Sequence, residues 1–189
     1  MKKTFLFFLM IVVIVVGFFM LNAYVRKQTV VEIGYKNIEY VIEGKKIKLQ
    51  DGAAQTDITP GSVSKLTTQY FGNELKTDLN NDGQEDVVFL LTQNSGGSGT
   101  FFYVMAALKT DTGYAGSDGY LLGDRIAPQT TEISPNSQHK NVIVVNYTER
   151  KSNEPMTAIP SVGKSTYLKL NPATMQWGIV VPDFEGESR

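Results

Sequence analysis

Residues 78–91 read DLNNDGQEDVVFLL, an acidic turn that runs without a break into five apolar residues. The second half decides the fold class. Val87–Leu91 is too short for a helix of ordinary length and has no polar face, which predicts a central strand covered on both sides. Further strands are expected on either side. Phe101–Leu108 (FFYVMAAL) repeats the buried pattern, and Val142–Thr148 (VIVVNYT) is strongly β-branched. Ile38, Tyr40 and Ile42 alternate with polar residues, as do Ile47 and Leu49, around a Glu43-Gly44 turn that predicts a hairpin. Tyr167–Leu170 and 176–181 predict a last hairpin across Asn171-Pro172, and 119–126 a returning strand. Residues 63–71 satisfy two patterns: Val63, Leu66 and Tyr70 have helical spacing, whereas Thr67, Thr68 and the aromatics favour a strand. Residues 52–62 (GAAQTDITPGS), 109–114 and 151–164 read as loops or turns. Closely spaced strands without long amphipathic helices predict a mainly β fold, an antiparallel sheet that is sandwiched or rolled, with at most one or two short helices.

The first half of the stretch carries chemistry. Oxygen-bearing side chains stand at relative positions 1, 3, 5 and 9 of the turn, with glycine at 6. A hard cation such as Ca²⁺ takes six to eight oxygens at about 2.3–2.6 Å, and glycine permits the bend that turns alternate side chains inward. The expected ligands are Asp78, Asn80, Asp82, the main-chain carbonyl of Gln84, and Asp86, with water completing the shell. The twelfth position, where an EF-hand needs a bidentate glutamate, is Phe89. The turn resembles the DxDxDGxxD calcium loops of integrin-type (FG-GAP) and dockerin-like sites. The FG-GAP likeness is closer because those loops also lead into a strand. The resemblance implies the ion and the ligand roles over residues 78–86, and no propeller, since the loop occurs once. Asn80 in place of an acid removes one negative charge and predicts weak affinity. The competing reading is a solvated Asn-Asp-Gly turn.

Upstream, residues 5–21 (FLFFLMIVVIVVGFFML) form an unbroken apolar run, preceded by Lys2 and Lys3 and followed by Arg26 and Lys27. With its flanks the run matches a hydrocarbon core of roughly 30 Å. It is longer than the apolar part of a signal peptide, and Leu21-Asn22-Ala23 lacks the small-x-small cleavage pattern. The expectation is a transmembrane signal-anchor over 1–24, a β-rich domain over 25–181 outside the cytoplasm, and a polar tail over 182–189. Cleavage and secretion form the alternative. All 19 acidic residues, and every basic one except Lys2 and Lys3, lie after Tyr24. Calcium suits that compartment, where weak sites of roughly 10⁻⁴–10⁻³ M are common.

Composition narrows the rest. The 189 residues contain no cysteine, which excludes disulfides, thiolate metal sites, thiol catalysis and lipoprotein acylation. A net charge of −1 gives no footprint for nucleic acid. Ten Phe and nine Tyr against 20% charged residues exclude a disordered chain. The glycine-rich loop 94–99 reads as a hairpin connection. Gly163-Lys164-Ser165 fails as a P-loop because position 158 is Ala and the following residues read as strand. His139 reads as an exposed loop residue, Asp124-Arg125 as a surface ion pair, and Trp177 as core. No GxSxG elbow is present.

The segments YFGNE (70–74), DLNNDGQED (78–86), LLTQNSGGSGTFFYV (90–104) and GDRIAP (123–128) together resemble bacterial membrane-anchored envelope proteins of uncharacterised activity. That resemblance implies location and a shared domain. The functional expectation is a binding or structural module for an envelope polymer, a peptide or a protein. An envelope hydrolase with carboxylate or serine chemistry, and an accessory subunit of a membrane complex, are the alternatives.

Overall fold

The central apolar strand does lie between two layers. In a computed structural model, which describes residues 34–59, 61 and 63–181 together with residues 15–17 and 20, every residue from Asp86 to Leu91 is buried. Residues 15–17 and 20 are helical. The chain divides into two compact units, Met1–Ile33 and Gly34–Arg189. The anchor expected over 1–24 otherwise lies outside the described residues, as does the tail from Pro182. No helix among the described residues is long and apolar enough to cross a membrane.

The second unit opens with a 3₁₀ turn at Tyr35–Asn37 and contains twelve strands among the described residues: β1 Glu39–Ile42, β2 Lys45–Lys48, β3 Ala53–Asp57, β4 Lys65–Thr77, β5 Asp86–Asn94, β6 Phe101–Thr110, β7 Gly113–Gly116, β8 Tyr120–Asp124, β9 Ala127–Ile133, β10 Val142–Glu149, β11 Val162–Asn171 and β12 Gln176–Ile179. They form three sheets. The largest has the order β3-β4-β5-β6-β7, with β8 also on β6; a second has the order β12-β11-β10-β9; the third is the β1–β2 hairpin. All strand pairs within these sheets are antiparallel.

Alternation along β5 and β6 builds two cores from one sheet. Val88, Leu90, Phe102, Val104 and Ala106 face the four-stranded sheet and meet Ile143, Val145, Leu168 and Leu170. Val87, Phe89, Leu91, Tyr103, Met105 and Ala107 face the other way and meet Tyr40, Ile42, Ile47 and Leu49 of the hairpin. This accounts for the unbroken apolar runs, because neither face of these strands touches water. The hairpin turns through Glu43 (φ 51°) and Gly44 (φ 74°), both left-handed, which matches the twist of the flanking strands. It lies close on the sheet because Gly116 has no side chain: a Cβ there would stand 2.7 Å from Cδ1 of Tyr40 and would strike the carbonyl of Glu39.

Several boundaries differ from the sequence reading. Residues 52–62 are not all loop, since Ala53–Asp57 is an edge strand paired with β4. Only alternate residues of β3 are half-buried, so hydrophobicity leaves little trace there. The ambiguous stretch at 63–71 resolves as strand and runs on to Thr77, with irregular pairing at Gly72. Val63, which supported helical spacing, lies before the strand and is 96% exposed. The turn at 109–114 shrinks because β6 reaches Thr110 and β7 begins at Gly113. The loop at 151–164 likewise gives way to strand at Val162. The polar strand β9 (APQTTEI) has no apolar alternation to announce it.

Candidate metal centre

β4 and β5 converge at Thr77 opposite Asp86, so the loop 78–85 is closed at its base by strand pairing. Asp86 is fully buried. Its Oδ2 accepts the N–H of Leu79 at 2.9 Å and its Oδ1 accepts the N–H of Lys109 on β6 at 2.7 Å. Leu79 anchors the loop in the larger core, and its carbonyl accepts a bond from Asn141 Nδ2 at 2.8 Å. One carboxylate thus joins the start of the loop, the start of β5 and the end of β6.

Above that base the chain folds onto Asp78. Its Oδ1 accepts the N–H of Asn81 at 2.7 Å and those of Asn80 and Asp82 at 3.3 Å; its Oδ2 accepts the N–H of Gly83 at 2.9 Å. Asn80 Oδ1 takes the Asp82 N–H at 3.0 Å, Asn80 Nδ2 donates to Asp82 Oδ2 at 3.0 Å, and Asp82 Oδ1 takes the Gln84 N–H at 2.8 Å. Asn81 (φ 62°) and Gly83 (φ 81°) supply the left-handed positions that the knot needs. Asp78, Asn80 and Asp82 therefore share one hydrogen-bonded group, with Asp86 at its base. Gln84 joins through its N–H.

The carboxylates are turned onto loop amides, and among the described residues no three His, Cys, Asp or Glu side chains converge as a ready metal-binding group. The donor chemistry still suits a hard cation. A carboxylate oxygen has two lone pairs, so one that accepts an amide retains capacity for an ion. The electrostatics favour a positive charge. Burial pushes the Asp86 carboxyl above its ordinary range, the amides of Lys109 and Leu79 pull it back, and the charges of Asp82 and Asp78 push it up again. Asp78 is held below the usual range, chiefly by the Gly83 amide against a desolvation penalty, with the amides of Asn81, Asn80 and Asp82 adding to the effect. None of Asp78, Asp82 and Asp86 has an ion-pair partner among the described residues, whereas Glu85 pairs with Lys76 at 3.5 Å. The twelfth position is closed to metal, since Phe89 is buried among Tyr35, Tyr40 and Tyr70.

The sequence reading missed the groups that hold this end of the molecule. Lys109 and Asn141 are neighbours of the loop only through the fold. Beside the loop's β4 stem, Tyr35 and Tyr70 both donate to Glu74 Oε1, and Lys36 Nζ sits 3.6 Å from the centre of the Tyr70 ring. Desolvation and the bond to Glu74 raise the Tyr35 hydroxyl to about 12. Burial pushes the Glu74 carboxyl up, but the two tyrosine hydroxyls, Lys36 and Lys76 outweigh it and hold it low. No local motif signals this cluster, because Tyr35 and Glu74 are brought together across 39 residues.

Other candidates fall to structural roles. The loop 94–99 joins β5 to β6 and is closed by Asn94 Oδ1 accepting the Gly96 N–H at 2.6 Å. Gly163-Lys164-Ser165 lies in β11. His139 is half-buried and not exposed as the sequence suggested: its Nδ1 lies 2.9 Å from Ser134 Oγ and its ring packs edge-on to Tyr167. Its other nitrogen faces Asn136 at 3.5 Å, so no described acid completes a triad. Asp124 accepts two bonds from Arg125 and one from the Thr100 N–H, and Arg150 donates to the Arg125 carbonyl at 2.8 Å, which ties three loops together. Trp177 packs against the larger core. A cavity of about 250 Å³ under the hairpin holds two carboxylates, each already engaged, Glu43 by the Tyr103 hydroxyl at 2.9 Å and Asp57 by Lys65.

Comparison of the chain with protein-family models, with curated proteins and with solved structures returns no match.

Proposed function

We propose that this chain is a membrane-tethered module of the cell envelope, held N-inside by residues 5–24, whose β domain outside the cytoplasm is clamped by Ca²⁺ in the loop 78–86 and binds an envelope polymer, a peptide or a protein. One observation carries the calcium reading: three carboxylates without cationic partners among the described residues are gathered on a loop whose base, Asp86, is buried between β4, β5 and β6. Asp78, Asn80, Asp82 and Asp86 supply side-chain oxygens and Gln84 its carbonyl. The ion neutralises the repulsion among the acids and fixes the loop to both strands. In the absence of disulfides it serves as a removable staple. At a hundredfold excess over Kd such an ion stabilises a fold by about 2.7 kcal/mol.

Two measurements test this reading. The melting temperature of the purified chain is expected to rise in millimolar Ca²⁺ relative to chelator, and Asp78→Ala with Asp82→Ala is expected to abolish the difference; superimposable wild-type curves would sink the calcium clamp. Carbonate extraction of expressing cells is expected to leave the full-length chain in the membrane pellet. A soluble product beginning near Tyr24 would replace the anchor with a cleaved signal.

A further inference from the structure

We infer that the cavity under the β1–β2 hairpin is a binding site for a free α-amino acid with an apolar side chain. Ile42 and Ile47 of the hairpin, Ile58 beyond β3 and Leu66 of β4 give it apolar walls. From the sheet it is lined by Gln93, which continues the row of Val87, Phe89 and Leu91 along the face of β5 that the hairpin covers. Gln93 is 5% exposed. Its Nε2 donates to the hydroxyl of the buried Thr68 at 3.1 Å, and its carbonyl oxygen accepts no bond from a described residue. A glutamine at a core-facing position with half its amide unmet is costly to bury. The unmet carbonyl calls for a donor inside the cavity.

Two charges set the class of ligand. Register on β1 puts Lys45 opposite Ile42, on the face that also carries Ile47, and Glu43 stands at the turn between the strands. Both line the cavity. Glu43 gives Oε1 to the Tyr103 hydroxyl at 2.9 Å and keeps its second oxygen. Neither Glu43 nor Lys45 has an oppositely charged partner among the described residues. The other two charged residues of the lining are matched, Lys46 by Glu39 at 2.8 Å and Asp57 by Lys65. The cavity thus offers one acid and one base without countercharges, and one amide carbonyl, around an apolar space. In the inferred complex the ligand's ammonium donates to Glu43 and to the Gln93 carbonyl, and its carboxylate accepts from Lys45. A purely apolar ligand would leave Gln93 unmet, and an internal residue of a peptide carries neither main-chain charge. At about 250 Å³ the space falls below the usual range of about 300–1,000 Å³ for drug-sized ligands, which suits a body of one side chain. Gln93 lies near the opposite end of β5 from Asp86, so this site is separate from the calcium loop.

Calorimetric titration of the purified full-length chain in detergent, with L-leucine as the probe, is expected to give a saturable heat for one site. Isocaproate lacks the ammonium of leucine and isoamylamine lacks its carboxylate, and each is expected to bind at least about tenfold more weakly. Lys45→Met keeps the apolar stem and removes the charge. It is expected to weaken leucine and isocaproate and to leave isoamylamine unchanged. Gln93→Met removes the amide at nearly constant length and is expected to weaken leucine with unchanged circular dichroism. Lys45 is exposed, so Lys45→Met decides the matter should Gln93→Met not fold. No saturable heat with leucine, equal affinity for the three compounds, or wild-type affinity for leucine in Lys45→Met overturns the inference.

Discussion

Asp86→Ala is expected to lower the stability of the β domain by about 2–6 kcal/mol, because it leaves two amides, those of Leu79 and Lys109, without acceptors at a buried site. For a domain of this size that corresponds to a fall in melting temperature of more than roughly 5 °C. Two features make the test specific. The carboxylate is itself disfavoured by burial and by Asp78 and Asp82, so relief of that repulsion offsets part of the loss. Asp86→Asn retains one acceptor but turns an NH₂ group toward the second amide, and it is expected to fall between wild type and alanine. Calcium is expected to raise the melting temperature of the wild type and to leave Asp86→Ala unchanged. If Asp86→Ala melts with the wild type in chelator, the carboxylate is not the clamp that joins the loop to β6.

The second large effect is expected at Phe89. Its side chain is fully buried against the hairpin, with ring centroids of Tyr35, Tyr40 and Tyr70 at 5.5, 5.6 and 5.6 Å. Phe89→Ala opens a cavity between two layers and is expected to cost about 3–5 kcal/mol, a large share of the stability of an ordinary domain. Phe71→Ala supplies the contrast. That ring is 48% exposed and meets Phe102 edge-on at 5.1 Å, so its loss is expected to cost much less. Equal denaturant midpoints for the two variants would contradict the hairpin's role as a covering layer.

The parts of this fold that show in the sequence are those where burial is complete. β5, β6 and β10 are continuous apolar runs because each packs against other strands through a dry face, and the Glu43-Gly44 hairpin shows in its alternation and its turn. β3 and β9 do not show. They are edges, held by main-chain pairing with half-buried or exposed side chains, and pairing leaves no mark on residue type. The three-layer arrangement is also silent, since Tyr40 and Ile143 look alike in sequence although they cover opposite faces of one sheet. At the candidate site the spacing of oxygens and the glycine is local and therefore legible. The contribution of Lys109 is a main-chain N–H, which any residue would offer, and that of Asn141 depends on a left-handed turn (φ 56°) 62 residues from its acceptor. The cluster of Tyr35, Tyr70 and Glu74 is likewise assembled by the fold alone.

The central claim is that the loop 78–86 holds a divalent cation, and calorimetric titration of the purified full-length chain with CaCl₂ tests it most directly. The expected result is a saturable heat with one site and a Kd of about 10⁻⁴–10⁻³ M, absent from the Asp78→Ala, Asp82→Ala double variant. No heat from the wild type, or the same heat from both proteins, would contradict the claim.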